Sequence, residues 1–151
     1  MKNIVIITPV YNDWESFTKL INEINKVISE FKDISFSLIA INDGSKEKAP
    51  LLSLPSHLKV IEILNMRINQ GHAICIANGI KHALKNYQFD NLILMDADGE
   101  DRPEEISDLI NKASELQNIS VVAKRVKRSE GPIFTFFYCI PTQLFLRFTF
   151  Q

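Results

Sequence analysis

The sequence is poor in the residues that mark several classes of protein. It contains two cysteines, Cys75 and Cys139, which form no CxxC pair, so neither a disulfide framework nor a cysteine zinc motif is expected. The net charge of −1 leaves no basic excess, which argues against a nucleic-acid partner. The first apolar run, residues 4–7, is too short for the core of a signal peptide. These absences favour a reduced, cytoplasmic setting.

Glycine is missing where a dinucleotide-binding fold would need it. The loop after the first predicted strand, residues 8–13, contains none, so the GxGxxG turn is absent. A Rossmann dehydrogenase is therefore not expected.

What the sequence does contain is a regular alternation of strand and helix patterns. Apolar runs of strand length alternate with amphipathic stretches, which is typical of βαβ units and a parallel sheet. With 46% apolar and 23% charged residues in 151, the chain can build one domain around one core. The predicted strands are residues 3–8, 36–41, 58–64, 92–95 and 119–123, and the predicted helices are 14–31, 72–87 and 103–117. On the second helix, the predicted inward face comprises Ile74, Ala77, Ile80 and Leu84.

Polar segments follow each predicted strand. Since right-handed crossovers bring the ends of parallel strands to one edge, and ligands gather beyond the carboxyl ends of such strands, these segments predict one site. Asp96 and Asp98 follow the fourth strand, and Mg²⁺ is typically held by one or two carboxylates plus substrate phosphates. The competing interpretation is an exposed acidic turn in which Asp98 or Asp101 only caps the next helix. The other polar segments are residues 8–13, 42–45, 65–71 and 124–128.

A phospho-acceptor signalling domain is a weaker alternative, although it also has five parallel strands with acids at their ends. Such a domain needs an acceptor aspartate after its third strand and a Thr or Ser after its fourth. This sequence has Asn65 and Asp96 in those places.

Four of the loop motifs together resemble the family 2 inverting glycosyltransferases of the GT-A fold. The most similar subgroup includes dolichol-phosphate mannose synthase and bacterial polyprenyl-phosphate relatives. The resemblance extends to about Arg128 and implies an α/β, Rossmann-like, mostly parallel sheet sandwiched by helices. The motifs are Thr8-Pro9-Val10-Tyr11-Asn12, Asn42-Asp43-Gly44-Ser45, Arg67-Ile68-Asn69-Gln70-Gly71-His72 and Asp96-Ala97-Asp98-Gly99.

The resemblance implies a binding site for a UDP- or GDP-linked sugar. By this likeness, Pro9 and Tyr11 would line the pocket for the nucleotide base. Asp43 would bind the base or the ribose. Arg67 and Gly71 would belong to a loop that closes on the nucleotide.

The same likeness assigns a metal and phosphate contacts. Asp96 would approach the ribose or donor sugar, and Asp98, with Asp96 beside it, would hold Mn²⁺ or Mg²⁺ on the diphosphate. Arg125 and Lys124 would contact phosphate of the donor or of a lipid-phosphate acceptor, since a guanidinium binds oxygens in pairs.

The end of the sequence departs from the family. We divide the chain into a nucleotide-sugar-binding domain, 1–128, and an apolar, aromatic-rich tail, 129–151. The tail lacks any acid after Glu130, and so lacks the general base that the family carries after the fifth strand. We expect a fold truncated after that strand, with an apolar or amphipathic C-terminal helix.

Three interpretations of the tail stay open. It is a helix at the inner face of the cell membrane, or core that packs against an acceptor half or a second copy, or, least favoured, a membrane span. We expect a shortened glycosyltransferase that keeps donor binding. The alternative is a non-catalytic nucleotide-sugar-binding module or partner subunit.

Overall fold

The computed structural model describes residues 1–115 and 121. Within this part lie four of the five predicted strands and all but the last residues of the three predicted helices. Apart from Val121, the predicted fifth strand lies outside the described residues, as do the basic run 124–128 and the tail.

The centre of the fold is a four-stranded parallel sheet. Its strands are β1 (Lys2–Val10), β2 (Ile34–Asn42), β3 (Leu58–Asn65) and β4 (Asn91–Leu94), in the order β3-β2-β1-β4. Because β1 and β2 are covered on both faces, their residues form nearly continuous buried apolar runs. The prediction of an α/β fold with a parallel sheet is confirmed.

β1 continues through Pro9, where the sequence predicts its end. The Ile7 carbonyl accepts a hydrogen bond from the Met95 amide on the β4 side of β1. Because the backbone groups of residues two apart in a strand point to the same side, the Pro9 nitrogen also points toward β4. Pairing of β1 with β4 ends at Leu94, opposite Ile7, so no ladder donor is needed at Pro9. A proline is therefore accommodated in an interior strand.

Helices cover both faces of the sheet. The first, α1 (Trp14–Ile28), begins at Asp13, whose carboxylate accepts a hydrogen bond from the Ser16 amide at 3.0 Å. It shares one face with α3 (Ile106–Glu115), which follows a 3₁₀ turn at Pro103–Glu105. The other face carries α2 (His72–Asn86). Within the described residues, no helix has both the length and the apolar character needed to cross a membrane.

The predicted inward face of α2 is correct for Ile80, which packs partly buried against the core, and wrong for Ile74, Ala77 and Leu84. The buried residues are Cys75, Gly79 and Ala83, whereas Ile74 and Leu84 are 46% and 68% exposed. The helix lies so close to the sheet that a Cβ on Gly79 would come within 2.8 Å of the side chains of Ile7 and Ile41. Only small residues fit this closest contact, and Ile74 and Leu84 lie away from it.

Candidate functional site

An open cavity of about 360 Å³ lies beyond the carboxyl ends of β1, β2 and β4. We call it the strand-end pocket. Its walls come from the loops that the sequence places at one edge of the sheet, and the N-terminus of α2 opens into it. The lining residues are Pro9, Val10, Tyr11, Asp13, Asp43, Asn69, Gly71, His72, Asp96, Ala97 and Asp98.

The β2 turn, residues 42–45, forms the floor of the pocket. The Asp43 amide donates to the Val10 carbonyl at 2.9 Å, which fixes the turn against the end of β1. The Asp43 side chain is only 4% exposed. One of its carboxylate oxygens accepts from the Gln70 amide at 2.8 Å and the other from the Gly71 amide at 2.9 Å. Asp43 therefore holds the segment that leads into α2.

Neighbours of Asp43 tie the same turn to both adjacent loops. Ser45 Oγ accepts from the Asn12 amide at 2.9 Å, and Asn42 donates its side-chain amide to Asn65 Oδ1 at 2.8 Å. Gly44, at φ +70°, packs so tightly that a Cβ would lie 2.6 Å from the Ile68 carbonyl carbon. The β2 turn is thus fixed by contacts with the loop after β1 and with the end of β3 and the loop after it.

The β4 loop, residues 96–101, forms the opposite wall. Its conformation is held by its own carboxylates: Asp101 Oδ2 accepts from the Asp96 amide at 2.7 Å, and Asp98 Oδ1 accepts from the Glu100 amide at 2.9 Å. The 3₁₀ turn that follows begins at Arg102 without a side-chain cap. The interpretation of Asp98 or Asp101 as a helix cap is therefore wrong. Asp98 is exposed and Asp96 is half-buried, and both border the pocket.

The pocket is strongly acidic. Four carboxylates line it, and His72 is the only basic side chain among the lining residues that the structure describes. His72 Nε2 lies 3.6 Å from Asp96 Oδ1. An anionic diphosphate placed here would be repelled by the acids unless a cation lay between them.

The chemistry of the donor set fits a hard divalent cation that shares its coordination with a ligand. Among residues 1–115 and 121, no cluster of three or more His, Cys, Asp or Glu side chains could hold a metal by protein groups alone. Asp96 and Asp98 instead offer the one or two carboxylates with which Mg²⁺ is usually bound beside substrate phosphates.

The environment of the Cys75 thiol, near Asp43, disfavours its ionisation. Cys75 is fully buried, and its thiol donates a hydrogen bond to the Ile41 carbonyl oxygen, with the sulfur 3.7 Å from that oxygen. Burial, and then the nearby Asp43 carboxylate, raise the pKa of Cys75 from 9.0 to about 11. The thiolate that would act as a nucleophile is therefore scarce near neutral pH.

A second group of titratable side chains lies between β3 and α2, away from the pocket. Glu62 Oε2 accepts from the Tyr87 hydroxyl at 2.7 Å and lies 3.0 Å from His82 Nε2. Burial acts to raise the pKa of Glu62, but these two hydrogen bonds outweigh it and the pKa is lowered. Burial and Glu62 raise the pKa of Tyr87 to about 12. The group joins helix to sheet.

Most of the predicted site residues come together. The structure places them around one pocket. Arg67 is exposed and is not among the lining residues, and Arg125 lies outside the described residues. The predicted residues that line the pocket are Pro9, Tyr11, Asp43, Gly71, Asp96 and Asp98.

Sequence reasoning missed three polar residues of the pocket. Asp13 receives no role of its own in the segment 8–13 and caps α1 in the structure, and His72 is only the first residue of the predicted helix 72–87, which it also begins in the structure. Asn69 receives no role of its own. The available signal is position, because each lies in or next to a loop that follows a strand.

Comparison of structures supports the fold class. The crystal structure of S. aureus TarS 1–349 matches this chain with a TM-score of 0.52 and 21% identity, covering 76% of this chain and 33% of that one. This likeness concerns the fold alone, which is that of the GT-A glycosyltransferases.

Comparison of sequences gives the family. The model of glycosyl transferase family 2 matches residues 5–142, so the chain belongs to this family. It is 32% identical over 127 residues to an uncharacterized glycosyltransferase of Synechocystis sp., and 30% identical over 132 residues to the uncharacterized glycosyltransferase YkcC of Bacillus subtilis. These alignments cover 83% and 85% of this chain.

A third relative has a more specific name. The undecaprenyl-phosphate 4-deoxy-4-formamido-L-arabinose transferase of Salmonella choleraesuis is 30% identical over 119 residues, which is 76% of this chain. The chain spans only 35% to 39% of the length of these three relatives. The predicted resemblance to family 2 is confirmed.

Proposed function

We propose that the strand-end pocket binds the nucleotide-diphosphate sugar of a glycosyl transfer reaction, together with Mn²⁺ or Mg²⁺. The observation that carries the proposal is the acidity of the pocket. A diphosphate can bind beside four carboxylates only with a cation between them, and membership of family 2 supplies a reason for a diphosphate to bind there.

Asp98 and Asp96 would hold the cation. When bound, it would neutralise the charge on the leaving diphosphate as a Lewis acid. Asp98 is exposed enough to reach a ligand, and its Oδ1 bond to the Glu100 amide fixes its direction. Asp101 fixes the backbone of Asp96 in the same way. The chain thus fixes the Asp98 carboxylate and the Asp96 backbone before a ligand arrives.

Pro9 and Tyr11 would flank the nucleotide base. Tyr11 is 48% exposed at the rim of the pocket, which leaves its ring available for stacking on a base. Gly71 and His72 bring the positive end of the α2 dipole to the pocket, which favours an anionic group there. Arg67, although outside the pocket wall, lies in the loop that would close on the nucleotide.

The acceptor we propose is a polyprenyl phosphate, supported by the name of the Salmonella relative. Arg125 would contact its phosphate or that of the donor. Such an acceptor would place the chain at the inner surface of the membrane. Because the chain covers a little over a third of its relatives' length, we assign donor binding to this chain and complete transfer to a full-length protein.

The test is thermal stabilisation by UDP, GDP and their sugars, each with and without Mn²⁺. A ligand at a hundred times its dissociation constant stabilises a protein by about 2.7 kcal/mol. We expect a shift with one nucleotide that requires Mn²⁺ and disappears in Asp98→Ala. Asp108→Ala is the matched control, since this exposed acid on α3 does not line the pocket and its loss should leave the shift intact.

Different results would contradict different parts of the proposal. If the folded wild-type chain shows no shift with any nucleotide, donor binding by this chain is wrong. If the shift is the same without Mn²⁺, or persists in Asp98→Ala, donor binding stands and the metal assignment fails. Turnover by this chain alone, when a polyprenyl phosphate is supplied, would contradict the assignment of complete transfer to a full-length protein.

A further inference from the structure

We infer that Asn12 is a positioning residue, which orients the Tyr11 ring for the nucleotide base without lining the strand-end pocket itself. The inference rests on the proposed function, because Tyr11 is the residue proposed to stack on the base. Tyr11 and Asp13, on either side of Asn12, both line the pocket, whereas Asn12 does not. The backbone of Asn12 therefore sets the directions in which these two side chains leave the chain.

The backbone conformation of Asn12 is unusual. Its φ is +54°, and in the part of the chain that the structure describes it is the only residue other than glycine with a positive φ. Few side chains accept this left-handed conformation, although asparagine does so more often than most. Residues held in such conformations depend on their surroundings to stay there, and they cluster at binding and catalytic sites. The conformation of Asn12 thus indicates a role for the turn that it forms.

Two hydrogen bonds hold Asn12 in this conformation. Its amide donates to Ser45 Oγ at 2.9 Å, and its side-chain Oδ1 accepts from the Lys46 amide at 2.8 Å. Because one bond uses the backbone and the other the side chain, together they fix both the position and the rotation of the residue. Neither bond engages the pocket, so Asn12 directs its polar groups toward the chain that follows β2.

The acceptor for the Asn12 amide is itself fixed to the sheet. The Ser45 amide donates to Asn42 Oδ1 at 2.9 Å, and Asn42 Nδ2 donates to Asn65 Oδ1 at 2.8 Å, which joins the ends of β2 and β3. Tyr11, in contrast, is 48% exposed. Since packing restrains a ring with so much exposed surface only weakly, its direction depends on the backbone that Asn12 fixes.

The experiment combines NMR of the ligand-free protein with measurement of nucleotide affinity. In Asn12→Ala the Lys46 amide loses its acceptor, and alanine adopts a positive φ less readily than asparagine. We expect the aromatic ring signals of Tyr11 to shift in this variant. Affinity for UDP or GDP with Mn²⁺ should fall by about tenfold, which is within the range of one base stacked on an aromatic ring.

Tyr11→Ala and the double variant show whether Asn12 acts through the ring. Positioning predicts that Asn12→Ala causes no further loss of affinity once Tyr11 is replaced, because residues that act as a unit are not additive. Asn12→Asp keeps an acceptor oxygen and tolerates the left-handed conformation. Its Tyr11 ring signals should therefore stay close to those of the wild type.

Asn25→Ala is the matched control for Asn12→Ala. Asn25 Oδ1 also accepts from a backbone amide distant in the sequence, that of His57 at 3.0 Å. Asn25 lies on α1 and does not line the pocket. Its replacement should alter neither the Tyr11 ring signals nor the affinity.

Unmoved Tyr11 signals in Asn12→Ala would overturn the inference, whatever the affinity. Equal shifts in Asn12→Ala and Asn12→Asp would overturn it too, since any substitution beside the ring would then have the same effect. Additive losses of affinity in the double variant would mean that Asn12 acts independently of Tyr11, which also contradicts positioning. If the wild type binds neither UDP nor GDP, the proposed function fails, and the ring signals alone still decide whether Asn12 orients Tyr11.

Discussion

Two loops that share one edge of the sheet are built in opposite ways. The β2 turn, residues 42–45, has a buried carboxylate, Asp43, and a glycine that fits against the backbone of a neighbouring loop. The β4 loop, residues 96–101, is largely exposed, and two of its carboxylates accept hydrogen bonds from amides of the same loop. The carboxylate of the β2 turn is buried in the protein, whereas the carboxylates of the β4 loop are partly or largely exposed to solvent.

The positions of their strands explain the difference. β2 lies between β1 and β3, so the turn that follows it touches the loops of both neighbours. Within the described part of the chain, β4 pairs with β1 alone, and its loop has fewer neighbours to bind. The turn after β2 is therefore held by more neighbouring loops than the loop after β4.

The largest expected effect is the loss of stability in Gly44→Ala. The variant combines the cost of a left-handed residue, about 1–2 kcal/mol, with overpacking against fixed backbone, about 1–3 kcal/mol. We expect the free energy of unfolding, measured by urea denaturation, to fall by about 3 kcal/mol.

Gly99→Ala in the β4 loop is the matched control for Gly44→Ala. Gly99 also has a positive φ, +84°, but nothing lies within 4 Å of the position of a Cβ. Only the backbone cost should remain, about 1 kcal/mol. Equal losses in the two variants would mean that the β2 turn is no more tightly fitted than the β4 loop.

The next effect is a loss of stability at high pH through Cys75, which lies beside the β2 turn. The pKa of this thiol is about 11 in the folded protein and ordinarily 9.0, so between these values the folded state retains a proton that the unfolded state has lost. Stability must then fall as pH rises. We expect a loss of about 2 kcal/mol between pH 8 and 11.

Comparison of the wild type with Cys75→Ala isolates the contribution of the Cys75 thiol to the pH dependence of stability. Other groups that titrate in this range, including Tyr87 with its pKa of about 12, are common to both proteins and cancel in the difference. The stability of the wild type relative to Cys75→Ala, measured under reducing conditions, should therefore decline with pH. Parallel pH profiles would show that the region under Asp43 accepts a second negative charge.

The strands and helices were predictable because their hydrophobic patterns involve residues that are close together in the sequence. Alternating apolar runs and polar loops gave the four described strands and the helices, and the end of each strand located the pocket. The inward face of α2 was not predictable from hydrophobicity, because its contact with the sheet is set by distance. Gly79 and Ala83 are selected for their small size there, and Ile74 and Leu84 are left outside.

The site was predictable as a set of residues, and the roles of these residues stay predictions. The sequence places Asp43 and Asp98 in two similar loops and gives both a ligand to bind. Burial separates them, and burial depends on which strand is interior, which the chain order does not state. Arg67 shows the same limit, since a position in the right loop did not bring it into the pocket wall.

The smallest expected change in stability, with a larger change in ligand binding, is that of Asp101→Ala. Removing the acceptor for the Asp96 amide should cost about 1 kcal/mol, since the bond lies in a partly exposed loop. The stabilisation by nucleotide with Mn²⁺ should fall further, because the backbone that carries the Asp96 side chain would lose its anchor. Asp101→Asn keeps one acceptor oxygen and should restore both properties. If Asp101→Ala instead costs as much stability as Gly44→Ala, the β4 loop is as much part of the framework as the β2 turn, and the contrast between the two loops is wrong.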